Sequence, residues 1–250
     1  MGKTLYLECY SGISGDMTVA ALLDLGADQK VLDNVLKSLP VSGFQTKVSR
    51  VVKSGIDACD FDVVLDKGHE NHDHDMEYLH GHHHEHTHSY VAESAHGHHH
   101  HEHRGMKEIT HIIEHGAMTE NAKKIALKIF GILAEAESKA HNVPVDQVHF
   151  HEVGAVDSIV DIVSTAVCLD NLDITDVIVP VLCEGRGTVR CQHGILPIPV
   201  PAVANVVSAN HLHLKMTEVE GELVTPTGAA IVAAVKTKDK LPETFEIQQI

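Results

Sequence analysis

Two histidines and two carboxylates crowd the segment His149-Phe150-His151-Glu152-Val153-Gly154-Ala155-Val156-Asp157, with a third carboxylate, Asp161, four residues beyond its end. In an extended chain His149 and His151 point to the same side, and on a helix Asp157 and Asp161 share one face. Two imidazoles and two or three carboxylates at a strand-to-helix junction suit a divalent metal. The carboxylates can also orient ligands or move protons. His149, His151 and Asp161 are therefore read as metal ligands. The plainer reading is that Asp157 caps the helix while the histidines satisfy buried polar groups.

A second source of ligands lies upstream. Between residues 69 and 103 there are 15 His among 35 residues, with seven Asp or Glu and only Leu79 and Val91 as aliphatic residues larger than Ala. Such a stretch buries too little apolar surface to offset its ordering entropy and reads as a disordered insertion. Imidazole suits Zn, Cu, Fe and Ni. Runs such as His82-His83-His84-Glu85-His86 and His98-His99-His100-His101 offer redundant ligands without a preformed cage. That favours capture and transfer of metal over catalysis.

Three further motifs suit anions. Ser11-Gly12-Ile13-Ser14-Gly15-Asp16 follows a strand pattern and opens a helix, so its backbone donors can cradle phosphate or carboxylate. The plainer reading makes Asp16 an N-cap. The turn has neither the Lys of a P-loop nor a nucleophile elbow. Arg186, in Gly185-Arg186-Gly187-Thr188, can clamp a carboxylate or phosphate bidentately, or it sits exposed on a hairpin. Thr225 and Thr227, in Glu222-Leu223-Val224-Thr225-Pro226-Thr227-Gly228, precede a helix and serve either as an anion site or as caps.

The elements that must position these residues form a mixed α/β pattern. Strands are expected at 5–9, 44–52, 61–65 and 213–219, and an apolar run at 177–182. Helices are expected at 17–25, 31–39, 107–115, 119–141, 158–169, 203–208 and 228–236. A strand edge is read at 148–150. The prolines of 196–202 rule out a central strand there. The expectation is a single globular domain in two parts, 1–66 and 106–250, interrupted by the histidine-rich insertion at 67–105.

Composition narrows the partners. The formal net charge of -16 argues against DNA, RNA and anionic membrane and fits a protein that attracts cations. Five scattered Cys without a CxxC pair suggest free thiols in a reducing compartment. With no signal peptide and no apolar span of membrane length, a cytoplasmic location is expected.

Taken together and in order, the Ser11 to Met17 opening, the histidine loop, the Phe150 to Asp161 run, Gly185-Arg186-Gly187, His193-Gly194-Ile195-Leu196-Pro197 and Thr225-Pro226-Thr227-Gly228 resemble the LarC family of nickel insertion proteins. The resemblance implies insertion of Ni(II) into pyridinium-3,5-bisthiocarboxylic acid mononucleotide, giving the nickel-pincer cofactor of lactate racemase. It implies CTP and Mn or Mg bound by a C-terminal domain that this sequence lacks. Implied partners are the nucleotide substrate, the C-terminal LarC portion, apo lactate racemase and further copies of the chain. Metallation at the pyridinium carbon requires removal of a proton, for which Glu152, Asp157 and His193 are the candidate bases. Two rivals stand beside this reading. One is a non-enzymatic nickel or zinc store or metallochaperone. The other, disfavoured for want of a complete ligand set, is a metal-dependent hydrolase using His149, His151 and Asp157.

Overall fold

The computed structural model describes residues 2–66, 105–148, 156–191 and 194–250. The histidine-rich stretch, His149, His151, Glu152 and His193 lie outside the described residues.

Parallel strands form the middle of the molecule. Strand β1 (Lys3–Tyr6) pairs in parallel with β4 (Ile174–Ile178), Leu5 standing opposite Val177. Further along the same run, Cys9 bridges to Leu182 at the start of β5 (Leu182–Arg186), so residues 3–9 pair in turn with β4 and then β5. Lys238 bridges to Ile178, and β8 (Leu214–Glu220) runs parallel to β5. The apolar run expected at 177–182 is thus two strands, separated where Pro180 removes a ladder donor. The residues of that run in the two strands, Val177, Ile178 and Leu182, are buried, as the cores of helix-covered parallel strands are.

Two antiparallel hairpins complete the sheets: β2 (Phe44–Lys53) with β3 (Ile56–Leu65), and β6 (Thr188–Cys191) with β7 (Gly194–Pro197). The tight β2–β3 turn places Ser54 and Gly55 at positive φ, and β3 is longer than the alternation at 61–65 suggested. Arg50 of β2 pairs with Asp24 and Asp57, and Asp24 also accepts the Cys59 amide at 2.9 Å. These contacts dock the hairpin on α1 (Gly15–Asp24), and the Arg50 guanidinium lowers the Asp24 pKa.

Helix boundaries follow local signals. α1 is capped by Ser14, and the chain leaves it through Gly26 at φ +97. α2 (Gln29–Ser38) begins at Asp28, whose carboxylate accepts the Lys30 amide at 2.8 Å, and stops ahead of Pro40. α3 (Met106–His115) starts after Gly105, whose amide donates to Glu108 at 3.0 Å. α4 (Glu120–His141) is capped by Thr119 and ends on Asn142, which takes the left-handed conformation usually left to Gly. After a 3-10 turn at Val145–Gln147, Val148 is buried and belongs to no strand among the described residues.

α5 (Val156–Asn171) is the central helix, apolar around most of its circumference, with Ile159, Val160, Ile162, Val163 and Ala166 inaccessible to solvent. α1, α2 and α4 pack on it, and α4 also carries α6 (Pro201–Ala209) and α7 (Pro226–Val235). The result is one mixed α/β domain with a continuous aliphatic core. No helix among the described residues is long and apolar enough to cross a membrane.

Candidate functional site

A cavity of 480 Å³ lies where the first turns of four helices meet. α1 contributes Ser14, Gly15 and Asp16; α5 contributes Asp157, Ser158 and Asp161. α6 brings Val200, Pro201 and Ala202, and α7 brings Thr225, Pro226 and Thr227. Phe61, Asp62 and Val63 of β3 form a further wall, and Val189, Cys191 and Leu196 of the β6–β7 hairpin another. Each helix start carries partial positive charge from unpaired amides. Their convergence brings amide donors to a wall that also carries the carboxylates of Asp16, Asp62, Glu137, Asp157, Asp161 and Glu222.

The ends of α1 and α7 are held together by main chain. Ile13 and Val224 form a parallel bridge, in which the Ile13 amide donates to Leu223 at 2.9 Å and the Thr225 amide donates to Ile13 at 3.1 Å. Two glycines permit this approach. A Cβ on Gly12, which sits at φ +88, would meet the Leu223 carbonyl oxygen at 1.9 Å, and one on Gly228 would meet that of Ile13 at 2.2 Å.

Several first-turn amides are already occupied. The Met17 amide donates to Ser14 Oγ at 3.4 Å, while the Ser14 hydroxyl donates to Asp16. Thr225 Oγ1 accepts the Gly228 amide at 3.1 Å. Ser14, not Asp16, is therefore the cap of α1, because only its side chain stands before the first turn. α6 differs: Val200 offers no side-chain cap and Pro201 occupies the first turn. Among the described residues no side chain caps its next amides, which lie beside Ala202 on the cavity wall.

The deepest carboxylate is that of Asp161. It lies against Gly15, where a Cβ would come within 2.4 Å of Oδ2, with the Asp16 main chain beside it. The residue as a whole is half-buried, yet Oδ1 is sealed from solvent and has no hydrogen-bond partner among the described residues. Burial holds its pKa well above the usual carboxylate range, and the charges of Asp16 and Asp157 push the same way. A carboxylate so placed calls for a cation or a proton.

Of the residues singled out in the sequence, Ser14, Gly15, Asp16, Asp157, Asp161, Thr225 and Thr227 line this one cavity. Ser11 and Gly12 are not on its wall; Ser11 is exposed, and Gly12 serves the contact with Leu223. Arg186 is also absent from the wall, and its guanidinium pairs with Glu218 at 2.5 Å. Other wall residues had no signal in the linear sequence. Glu137 and His141, one turn apart on α4 and 3.4 Å from each other, line the cavity with Cys191 and Glu222. Among the described residues no three His, Cys, Asp or Glu are grouped to hold a metal ion.

Comparison with known proteins bears on this geometry. Residues 5–250 match the family model described as nickel insertion protein. The chain belongs to that family. Family members named pyridinium-3,5-bisthiocarboxylic acid mononucleotide nickel insertion protein include one from Alkaliphilus metalliredigens, 55% identical over 250 residues, covering 100% of this chain and 56% of that protein. One from Acetivibrio thermocellus is 39% identical over 242 residues, covering 94% of the chain and 52% of that protein. One from Clostridium acetobutylicum is 46% identical over 234 residues, covering 93% and 55%. The chain thus spans about half the length of these family members. No solved structure matches it.

Proposed function

We propose that this chain binds pyridinium-3,5-bisthiocarboxylic acid mononucleotide in the 480 Å³ cavity while Ni(II) is inserted into it, as a step toward the nickel-pincer cofactor of lactate racemase. The observation that carries this reading is the cavity's two-sided chemistry. It sets the start of α6, which has no side-chain cap, and the starts of α1 and α7 against Asp161, whose buried Oδ1 has no hydrogen-bond partner among the described residues. A metal-accepting mononucleotide needs both: donors for its phosphate and carboxylates for the incoming cation. The volume is in the range of small-molecule sites.

In this reading the phosphate lies toward Ala202, Thr225 and Thr227, and the pyridinium ring with its thiocarboxylates lies toward α5. Ni(II) is substrate. The 69–103 segment collects it, and His149 and His151 with Asp161 pass it to the two sulfurs, which then hold it beside the ring carbon. That positioning supplies much of the advantage. The carbon–nickel bond forms as the carbon–hydrogen bond breaks, the pair of electrons staying on carbon and the proton going to a base. Nickel remains Ni(II), so no oxidant is required. Asp157 lines the cavity and is the described candidate base, with Glu152 and His193 as the others. CTP with Mn or Mg is assigned to the family's C-terminal domain, so binding, orientation and proton removal are the share of these 250 residues.

The test combines the chain with its C-terminal counterpart, CTP, Mn(II), Ni(II) and the bisthiocarboxylate nucleotide, and follows the nickel-containing product by mass. Product is expected, and it should be lost when His149 and His151 are both replaced by Ala. A folded, nickel-loaded mixture that yields none would move the assignment to nickel storage or delivery.

A further inference from the structure

Glu184 of β5 is completely inaccessible to solvent, and its chemistry points inward to the cavity's frame. Its Oε1 accepts three main-chain hydrogen bonds, from Gly185 at 2.7 Å, Leu223 at 2.8 Å and Val224 at 3.2 Å. Among the described residues Glu184 has no ion pair, and Oε2 is buried without a hydrogen-bond partner. Aliphatic side chains would fill such a position more cheaply, since a buried carboxyl group forfeits its hydration. What they cannot supply is an acceptor for amides that turn away from any strand ladder.

Those amides belong to the segment that joins the cavity walls. Leu223 and Val224 pair with Ile13, which leads into Ser14, Gly15 and Asp16, and they run directly into Thr225 and Thr227. The neighbouring backbone is equally close. A Cβ on Gly185 would meet the Gly221 carbonyl oxygen at 1.9 Å, and the Gly221 amide donates to Arg186 at 3.0 Å. Segment 219–224 is therefore seated on residues 184–186, with Glu184 as its side-chain anchor.

We propose that Glu184 is a positioning residue for the mononucleotide site, one acceptor oxygen setting the α1 and α7 walls at their working separation. The inference rests on the reading of the cavity as that site. It requires an acceptor at Oε1 and no contact between Glu184 and the substrate.

The test compares Glu184→Ala, Glu184→Gln and Glu184→Asp by calorimetric titration with pyridinium-3,5-bisthiocarboxylic acid mononucleotide. Amide hydrogen exchange at Leu223 and Val224 and the thermal midpoint are measured on the same samples. Glu184→Ala should bind at least tenfold more weakly and exchange faster at Leu223 and Val224. Glu184→Gln keeps an acceptor oxygen and should bind within threefold of the parent. Glu184→Asp, one methylene short, should behave like Ala and stands in if the Ala variant does not fold. Gly12→Ala, which breaks the Ile13–Leu223 contact from the other side, should weaken binding by a similar factor. Parent-like binding by folded Ala or Asp variants would overturn the proposal, as would equal loss in Gln and Ala. If the parent itself does not bind the nucleotide, the site assignment fails, and faster exchange at Leu223 and Val224 still decides whether Glu184 anchors the segment.

Discussion

Replacing Asp161 by Asn should make the metal-free protein more stable at neutral and alkaline pH while weakening its hold on nickel. The folded state keeps this carboxyl protonated to higher pH than the unfolded chain does, because burial and the Asp16 and Asp157 charges oppose its ionisation. A carboxyl whose folded pKa is raised contributes fully to stability below its unfolded value, about 3.9. That contribution is lost as pH rises through the folded value. Asn never ionises, so it escapes the loss. Asn keeps the size of the side chain and carries no charge for Asp16 and Asp157 to oppose. An unsatisfied buried polar group costs about 1–3 kcal/mol, and since Asn must still bury an amide we expect a net gain of about 1–2 kcal/mol. At about 2–4 °C per kcal/mol for a chain of this size, the thermal midpoint should rise by about 2–8 °C at pH 8. Melting curves from pH 4.5 to 8.5 with a chelator present measure this. Histidine titration is common to both proteins and cancels in the difference. The gap should widen with pH and close toward acid, and nickel titration should show weaker binding by the Asn variant. A midpoint that falls at pH 8, or a difference that is flat with pH, would refute the reasoning.

Three further outcomes are expected. Thr225→Ala removes the α7 cap on the Gly228 amide and should cost about 1 kcal/mol in thermal or denaturant unfolding; Thr225→Ser should recover most of it. Arg186→Ala breaks an ion pair whose side chains are 51% and 88% exposed, so it should cost less than about 1 kcal/mol. Calorimetry should find its nucleotide affinity within twofold of the parent, because Arg186 is not on the cavity wall. Deleting residues 69–103 should leave nickel insertion by the completed protein intact at saturating nickel and reduce it at limiting nickel. Loss at saturating nickel would instead favour a storage role.

Much of the local structure was legible in the residues themselves. Thr119 and Thr225 stand where helices begin, Gly26 and Pro40 where they end, and the long amphipathic run of α4 is helical almost to the residue expected, whereas α2 starts two residues ahead of the expected 31, behind its Asp28 cap. These signals act over one turn, through caps and backbone conformation, and so survive in a linear reading. The α1 cap shows the limit of that reading. Ser14 and Asp16 are both good caps, and the structure starts the helix at Gly15, so that Ser14 stands before the first turn and Asp16 within it.

What the tertiary structure alone decided is the site. The linear order suggested separate motifs near Ser11, Asp157, Arg186 and Thr225. Parallel pairing of residues 3–9 with β4 and β5, a contact between segments far apart in the chain, gathers the first, second and fourth and leaves Arg186 outside. Nothing local distinguishes Pro201 as a helix start facing a cavity, or His141 and Cys191 as its neighbours. Glu184 was equally silent, because a buried carboxyl is recognised by the amides that surround it, and those arrive from residues 223 and 224 only when the chain has folded.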